Sequence, residues 1–236
     1  MDDWELYYRD KVAGLDRRDF FRQVGHTVNG QPIPSAHFDL LVAQIADTLD
    51  LHADDRLLDV CCGNGLFTQR LAAKVHSVVG IDIASGLIDI AGADHGGANI
   101  SYLHMDAREV ESLKANGAGA FDKVVLYAAL QHFSPDEFAP VFDGLKALLA
   151  PEGAIMLGFV PDKALIWDFY NTPQRRAEHL QRQADGTDTF GFWWPRPTLD
   201  RMCRARALSC AFSVLPSEVH ASAYRFNAVV RHSPPT

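Results

Sequence analysis

The stretch that shapes this chain runs from Leu57 to Thr68 and reads LLDVCCGNGLFT. Its apolar start is typical of a buried strand, its two glycines mark a tight turn, and the residues through Ala72 have the apolar spacing of a helix. Glycine allows unusual backbone dihedral angles and a close approach to a ligand. Asp59 would stand at the carboxyl end of the strand, where open α/β sheets bind ligands. The stretch therefore predicts a strand, a turn and a helix around a ligand site.

Two classes of ligand site use a turn of this kind. A dinucleotide site has the pattern G-x-G-x-x-G, and here Thr68 stands in place of the third glycine. The string instead resembles the first motif of the class I S-adenosylmethionine-dependent methyltransferases, acid-x-G-x-G-x-G. Asp59, Gly63 and Gly65 match that motif, and Cys61 replaces its first glycine. The resemblance implies that the turn binds the methionine part of S-adenosylmethionine, with S-adenosylhomocysteine as the product.

Strands and helices alternate along the next hundred residues. After the first strand, further strands are predicted at 77–82, 99–104, 121–127 and 154–160, and helices at 36–50, 85–93 and 135–149. This alternation predicts an α/β fold with a doubly wound parallel sheet. The resemblance covers roughly residues 55–160 and implies a Rossmann-like sheet of seven mostly parallel strands. Its antiparallel end would be formed by final strands at 208–215 and 221–230.

Several helix boundaries follow from local signals. Ser35 is predicted to cap the first long helix. The buried face of that helix is expected to carry Phe38, Leu41, Val42, Ile45 and Leu49. One helix is expected from Lys163 to about Gln183, and Thr198 is expected to cap a short helix ending at Ala207.

Acidic residues at strand ends indicate how a cofactor would be held. Asp82 follows Gly65 by 17 residues and ends the second strand, where an acid accepts hydrogen bonds from a ribose diol. A nicotinamide dinucleotide would use the same position, so Asp82 does not separate the two classes. Asp106 and Ala107 follow the third strand and resemble the methyltransferase site for the adenine amine and ring. Ile83, directly after Asp82, completes the expected cofactor-binding set.

A histidine after the fourth strand is the main catalytic candidate. Residues 130–133 read LQHF, and the methyltransferase family often carries Leu-x-His-Phe here, near the transferred methyl group. His132 is either a general base, since imidazole titrates near neutral pH, or a support for the cofactor loop. Tyr127 and His37 are further catalytic candidates.

Two segments outside the core are expected to contact the acceptor. Residues 1–50 form a helical extension, and in the family such extensions often cover the substrate as a lid. Tyr7, Tyr8 and His26 are therefore candidates for substrate binding. Aromatic residues in an extension of this kind also serve as simple packing.

The second segment is an insertion at 161–197, between the cofactor-binding core at 51–160 and a C-terminal part at 198–236. It contains an aromatic-rich loop with Trp193 and Trp194. The two tryptophans either line the acceptor pocket and exclude water or fill the hydrophobic core.

Composition limits the possible partners. The chain has 236 residues and a net charge of −8, so it lacks the positive charge of a nucleic-acid binder. Its four cysteines do not have the spacing of a zinc site, and no metal is expected. The acidic start and the absence of a long apolar run predict neither a signal peptide nor a membrane span, which favours the cytoplasm. A monomer or homodimer is expected.

These observations lead to one functional hypothesis and two alternatives. The hypothesis is methyl transfer from S-adenosylmethionine to an oxygen, nitrogen or carbon nucleophile of a small-molecule metabolite. The first alternative is an oxidoreductase with a nicotinamide cofactor, which Thr68 and the absence of an evident Ser/Tyr/Lys set disfavour. The second is a regulator that binds the cofactor without catalysis.

Overall fold

The computed structural model describes residues 3–115 and 119–233 of the chain. Seven strands form one central sheet. They are β1 (Arg56–Val60), β2 (Ser77–Asp82), β3 (Ile100–His104), β4 (Phe121–Tyr127), β5 (Leu149–Pro161), β6 (Leu208–Val214) and β7 (Arg225–His232). A separate two-stranded hairpin pairs Thr27–Val28 with Gln31–Pro32.

The order of the strands across the sheet is β3-β2-β1-β4-β5-β7-β6. The first five strands in this order are parallel, and β7 is antiparallel to both β5 and β6. The expected doubly wound sheet of seven mostly parallel strands is therefore confirmed. From β1 the chain adds β2 and β3 on one side, and it then returns to add β4 on the other side of β1. A crevice at such a switch point is where open α/β sheets bind ligands.

Seven longer helices surround the sheet. They are α1 (Asp3–Ala13), α2 (Ser35–Leu49), α3 (Leu66–Ala72), α4 (Ser85–Asp94), α5 (Pro135–Leu148), α6 (Pro173–Ala184) and α7 (Arg196–Arg204). Short helical turns lie at Phe20–Gln23, Ala107–Glu109, Ser112–Ala115, Leu130–His132, Lys163–Leu165, Ile166–Phe169 and His220–Ala223. No helix in the described part of the chain is both long and apolar enough to cross a membrane.

Side chains of β4 alternate between the two layers of the core. Val124 and Leu126 pack with α5 and α7 on one face, whereas Val125 and Tyr127 pack with α2 and α3 on the other. This period of two is what a strand covered on both faces requires. The expected apolar face of α2 is confirmed, because all five predicted residues are buried.

Two predicted helix caps are wrong. Helix α2 begins at Ser35 itself, and Pro34 occupies the capping position without a side-chain hydrogen bond. Helix α7 begins at Arg196 after Pro195, so Thr198 lies inside its first turn. In both cases proline, whose fixed φ suits the start of a helix, sets the boundary ahead of the hydroxyl residue.

The insertion after β5 is not one helix, contrary to the prediction for 163–183. A short turn and the four-residue helix Ile166–Phe169 come first, and α6 begins separately at Pro173. Proline lacks the N–H that a continuous helix needs. Thr172 then caps the new helix by accepting a hydrogen bond from the Arg175 N–H at 3.2 Å.

Strands β5 and β7 differ from expectation in their bounds, and the pairing between them contains a bulge. β5 begins at Leu149, earlier than predicted, and β7 begins at Arg225, after a helical turn. The register between β5 and β7 shifts between Leu157 and Val160. Phe159 has a φ of +60° there and donates its N–H to Asn227 Oδ1 at 2.8 Å. Bulges of this kind redirect a side chain next to functional sites.

Candidate functional site

One cleft lies at the carboxyl ends of β1, β2, β3 and β4, and its volume is about 1100 Å³ when the solvent space at its open mouth is included. Eleven of the residues predicted from the sequence line it. They are Tyr8, His26, Asp59, Cys61, Gly63, Asp82, Ile83, Asp106, Ala107, Tyr127 and His132. The predicted cofactor residues lie beside β1, β2 and β3, and the predicted catalytic residues lie beside β4.

The glycine turn after β1 has a backbone that side chains would disturb. Gly63 and Gly65 have φ values of +57° and +78°, and Gly65 stands directly before α3. A Cβ atom at Gly65 would overlap the Tyr102 hydroxyl, and one at Gly63 would lie 2.8 Å from Val24 Cγ1. Cys61 also has a positive φ, +58°, at the position where the motif has glycine. The turn is thus held close to its neighbours in a conformation that favours glycine.

Asp59 is buried at the end of β1. Its Oδ2 accepts a hydrogen bond from Thr68 Oγ1 at 2.6 Å. Burial raises its pKa to about 7, against the lowering effect of the Thr68 bond, and the nearby Asp82 raises it further. Asp59 therefore exchanges its proton near neutral pH.

Asp82 ties the end of β2 to the glycine turn. Its Oδ2 accepts the Gly63 N–H and its Oδ1 accepts the Ala84 N–H, each at 2.8 Å. Burial raises its pKa although these two bonds lower it. Asp82 therefore has a structural role in the turn in addition to the ribose contact expected for it.

Asp106 is fixed by a neighbouring arginine. The Arg108 backbone N–H donates to Asp106 Oδ1 at 2.8 Å, and Arg108 Nε donates to Oδ2 at 2.9 Å. Burial acts to raise the Asp106 pKa, but these bonds outweigh it and the net pKa is lowered. Asp106 is consequently an ionised acceptor at the edge of the cleft.

His132 lies on the β4 side of the cleft, beneath α1. The Tyr8 hydroxyl and His132 Nε2 share a hydrogen bond of 3.1 Å, and the Trp4 ring lies 4.1 Å from the imidazole, centre to centre. Burial lowers the His132 pKa to about 3, with further lowering by Arg225 and Lys11. Its Nδ1 is buried without a hydrogen-bond partner among the described residues.

Aromatic rings form the rest of this side. Tyr127 lies 4.8 Å from Phe67 and 5.4 Å from Phe159, and His26 lies 5.1 Å from Phe67, all between ring centres. Burial lowers the His26 pKa to about 4, and Arg225 and Lys11 lower it further. The Tyr127 hydroxyl is buried with no partner in the described chain. The β4 side is therefore apolar, with a few polar atoms in fixed positions.

Comparison with known families identifies the domain that carries this cleft. Residues 57–153 match the family model described as a methyltransferase domain. The matched segment contains the glycine turn, the three strand-end acids and the His132 turn. Residues 57–153 form a methyltransferase domain. The resemblance noted in the sequence is thereby confirmed.

Curated relatives match about half of the chain. A 23S rRNA (uracil(1939)-C(5))-methyltransferase of Edwardsiella ictaluri is 34% identical over 125 residues, which is 51% of this chain and 26% of that protein. The protein of the same name from Salmonella typhi is 34% identical over 112 residues, 46% of this chain and 24% of that protein. The chain thus spans about a quarter of the length of these relatives.

Solved structures resemble this chain over nearly its whole length. The magnesium protoporphyrin IX methyltransferase of Synechocystis with bound S-adenosylhomocysteine has a TM-score of 0.65 at 16% identity, covering 98% of this chain and 100% of that one. The N-methyltransferase NodS of Bradyrhizobium japonicum, also bound to S-adenosylhomocysteine, has a TM-score of 0.63 at 17% identity, covering 99% and 100%. At such identities the likeness establishes the fold.

Five of the predicted site residues do not line the cleft. Gly65 shapes the turn from behind, Tyr7 packs against Tyr8 at 5.2 Å, and His37 is half-buried on α2. The prediction that Trp193 and Trp194 form a wall of the pocket is corrected here: they are 3% and 0% exposed and pack in the core. The alternative of a core-filling loop fits them better.

Other residues of the site were missed from the sequence. Trp4 lines the cleft, and its spacing of four from Tyr8 on one helix was a usable signal. Asn64 is fully buried and donates to Phe20 O at 2.9 Å and to Gln23 Oε1 at 2.8 Å, which fastens the N-terminal segment to the glycine turn. Among the described residues no group of three His, Cys, Asp or Glu side chains is arranged to hold a metal ion.

Proposed function

We propose that this protein transfers a methyl group from S-adenosylmethionine to an oxygen, nitrogen or carbon nucleophile of a small molecule. The observation that carries the proposal is the joint position of the glycine turn and three acids, Asp59, Asp82 and Asp106. They lie at the ends of three adjacent strands and line one cleft in a methyltransferase domain. The domain match favours this reading over the oxidoreductase alternative.

The lining residues have the chemistry that the cofactor requires. Gly63 lines the cleft in a turn whose conformation favours glycine, and Asp59 offers a carboxylate beside it. Asp82 and Asp106 are acceptors suited to the ribose hydroxyls and the adenine amine. When bound, S-adenosylmethionine supplies an electrophilic methyl group on a positively charged sulfur. The chain itself must provide proximity, alignment and exclusion of water.

The β4 side of the cleft suits the methyl acceptor. Helix α1 covers it with Trp4 and Tyr8, which supports the proposed role of the N-terminal segment as a lid. His132 is a poor base at a pKa of about 3, so positioning through Tyr8 is the better-supported role for it. A neutral imidazole still donates or accepts one hydrogen bond at each nitrogen.

Two features support a small molecule over RNA as the acceptor. The site is a covered cleft, and small-molecule sites are concave and mostly apolar. The net charge of −8 opposes binding to a polyanion. The rRNA methyltransferases that match this chain have about three quarters of their length outside the match, so their substrate does not transfer to it.

Calorimetric titration tests the cofactor assignment. S-adenosylhomocysteine should bind, and at a hundredfold excess over its dissociation constant it should stabilise the fold by about 2.7 kcal/mol. NAD should neither bind nor stabilise. Binding of NAD with no response to S-adenosylhomocysteine would overturn the proposal. Product formation from methyl-labelled S-adenosylmethionine with any acceptor would exclude the silent regulator.

A further inference from the structure

A buried arginine lies next to the β4 side of the cleft. Arg225 begins β7, is 8% exposed and lies opposite Pro161 of β5. Its Nη1 donates to Gln131 Oε1 at 3.2 Å and to the Phe159 carbonyl oxygen. The guanidinium also lies 4.6 Å from the centre of the Phe159 ring. Gln131 precedes His132, so these contacts hold the charge beside the turn that carries His132.

The positive charge of Arg225 has no carboxylate partner in the described chain. It forms no ion pair there, and its Nε donates to no described acceptor. Burying a charge is costly unless it is paired and hydrogen-bonded. One amide oxygen and one carbonyl oxygen solvate Arg225 but do not neutralise it. An anion bound nearby would neutralise the charge of Arg225.

Two further buried polar atoms on this side of the cleft have no hydrogen-bond partner among the described residues. They are His132 Nδ1 and the Tyr127 hydroxyl, both on residues that line the cleft. Buried polar groups in native proteins are nearly always hydrogen-bonded, so such exceptions call for an explanation, and beside a cleft a bound ligand provides one. The three unsatisfied groups together suit a ligand that has several acceptor atoms and a negative charge.

Two cations, Arg225 and Lys11, lie near the β4 side of the cleft but outside its lining. Lys11 Nζ lies 5.3 Å from the centre of the Tyr8 ring. After burial, which is the largest cause, both cations contribute to the lowered pKa values of His26 and His132. The lining itself carries both signs of charge, since Arg108 and Glu137 line the cleft together with the three acids. An anion on the β4 side would be attracted by Arg225 and Lys11.

We infer that the methyl acceptor is a small molecule with a carboxylate or similar oxyanion, bound on the β4 side of the cleft with its negative charge toward Arg225. Arg225 is not itself a lining residue, so it acts chiefly through its charge. The Tyr127 hydroxyl is the lining donor for the anion. This inference rests on the proposed function, because it specifies the acceptor of that same site.

A matched acceptor panel tests the inference. Small aromatic and aliphatic carboxylic acids, each paired with its carboxamide, are incubated with methyl-labelled S-adenosylmethionine, and kcat/KM is measured for every product. We expect turnover among the acids and at least a tenfold preference for an acid over its amide, since hydrogen bonds to charged groups are the stronger ones. Turnover confined to neutral or amine acceptors, or no turnover of any acid by protein that binds S-adenosylhomocysteine, overturns the inference. Failure to bind S-adenosylhomocysteine instead overturns the proposed function.

Variants separate the role of Arg225 from its contribution to folding. Arg225→Met should raise the KM of an acid acceptor at least tenfold and remove the acid preference, while Arg225→Lys should retain part of it. The control is Arg231→Met, an exposed position on the same strand, which should change neither. The affinity for S-adenosylhomocysteine should be the same in all three variants. An unchanged acid preference in Arg225→Met contradicts the inference.

Tyr127→Phe provides a second test that does not depend on the folding of the arginine variants. It removes a buried hydroxyl that has no described partner. The thermal midpoint of the ligand-free variant should therefore equal or exceed that of the wild type. Binding of the acid acceptor to the complex with S-adenosylhomocysteine, measured calorimetrically, should weaken severalfold. A variant with lower stability and unchanged acid binding would show that the hydroxyl has only a packing role.

Discussion

Burial changes what His132 can do. From the sequence, a histidine near the transferred methyl group is a natural general base. In the fold, the ring lies between Trp4 and Tyr8, and two nearby cations oppose its protonation. A base of such low pKa gains little by accepting a proton. An acceptor whose oxyanion is itself the nucleophile would not require a general base.

The pH dependence of turnover should therefore lack an imidazole inflection. Because the His132 pKa is lowered to about 3, the ring is neutral throughout pH 5–8 and its protonation state does not change there. We expect kcat measured with a carboxylic acid acceptor to have the same pH profile near pH 6.5 in the wild type and in His132→Gln. Tyr8→Phe removes the same hydrogen bond as His132→Gln, so the two variants should reduce kcat by similar factors. A step near pH 6.5 that is lost only in His132→Gln would restore the general base.

Individual site residues differed in how far the sequence predicted them. Asp82 and Asp106 were placed correctly because a residue at the end of a parallel strand must lie at the ligand edge of the sheet. The partners of Asp82 were missed, since its bonds to Gly63 and Ala84 depend on the exact path of the turn. Arg225 was missed entirely, because its contact with Gln131 joins positions far apart in sequence. No local pattern records such a contact.

Elements of the core were more predictable than the additions around it. The bounds of β2 and β4 agree with the sequence because apolar runs ending in turns specify buried strands. The single helix expected over 163–183 is interrupted, and a new helix begins at Pro173 with Thr172 as its cap. The sequence left two roles open for the aromatic loop, a pocket wall or a filling of the core, because burial of a tryptophan depends on the surface that it meets. Composition alone does not specify that surface. The burial of Trp193 and Trp194 fits the second role.

The insertion supports the site from behind. Trp194 Nε1 donates to the Leu130 carbonyl at 2.9 Å, and the Phe192 N–H donates to the Gln131 carbonyl at 2.7 Å. Gly191 lies against the same carbonyl, where a Cβ would overlap it. The loop thus fixes the helical turn that carries His132, although its tryptophans do not reach the cleft.

Trp194→Phe should consequently affect stability more than acceptor binding. The change removes the indole bond to the Leu130 carbonyl, which keeps only the Phe133 N–H at 3.2 Å, and it leaves a small cavity. We expect the free energy of unfolding to fall by about 1–3 kcal/mol, measured by urea denaturation, with the acceptor KM unchanged within about twofold. Trp167→Phe, at an exposed position of the insertion, is the matched control and should be nearly neutral. A large rise in KM at full stability would return the loop to the acceptor site.

At the scale of the whole molecule, the site is built at the expense of stability. Asp59 and Asp82 are buried with raised pKa values, chiefly through burial. Arg225 is buried without a described ion-pair partner. Proteins commonly retain such unfavourable groups where function needs them. Ligands of the complementary charge would relieve both ends of the cleft and so bind more tightly.

Replacing Asp59 by asparagine should therefore stabilise the ligand-free protein and weaken cofactor binding. The Asp59 pKa is raised to about 7 from an ordinary value of 3.8. A raised pKa means that the folded state binds the proton more tightly than the unfolded chain, so stability is lost as pH rises from 4 through 7. A tenfold difference in proton affinity between the two states corresponds to about 1.4 kcal/mol. Asparagine keeps an acceptor for Thr68 Oγ1 and carries no charge at any pH.

The thermal midpoint of Asp59→Asn, measured by calorimetry without ligand, should be close to that of the wild type at pH 4. It should exceed the wild type by a margin that grows between pH 4 and pH 7 and levels off above pH 7. Affinity for S-adenosylmethionine should fall at least tenfold at pH 8, because a charged acceptor is lost from the cleft. Asp55→Asn is the opposite control: that carboxylate accepts the His52 N–H at 2.7 Å and lies 3.9 Å from Lys123 Nζ, so its loss should destabilise the fold. If Asp59→Asn instead lowers the midpoint at pH 8.5, the carboxylate supports the fold and the assignment of its burial cost to function is wrong.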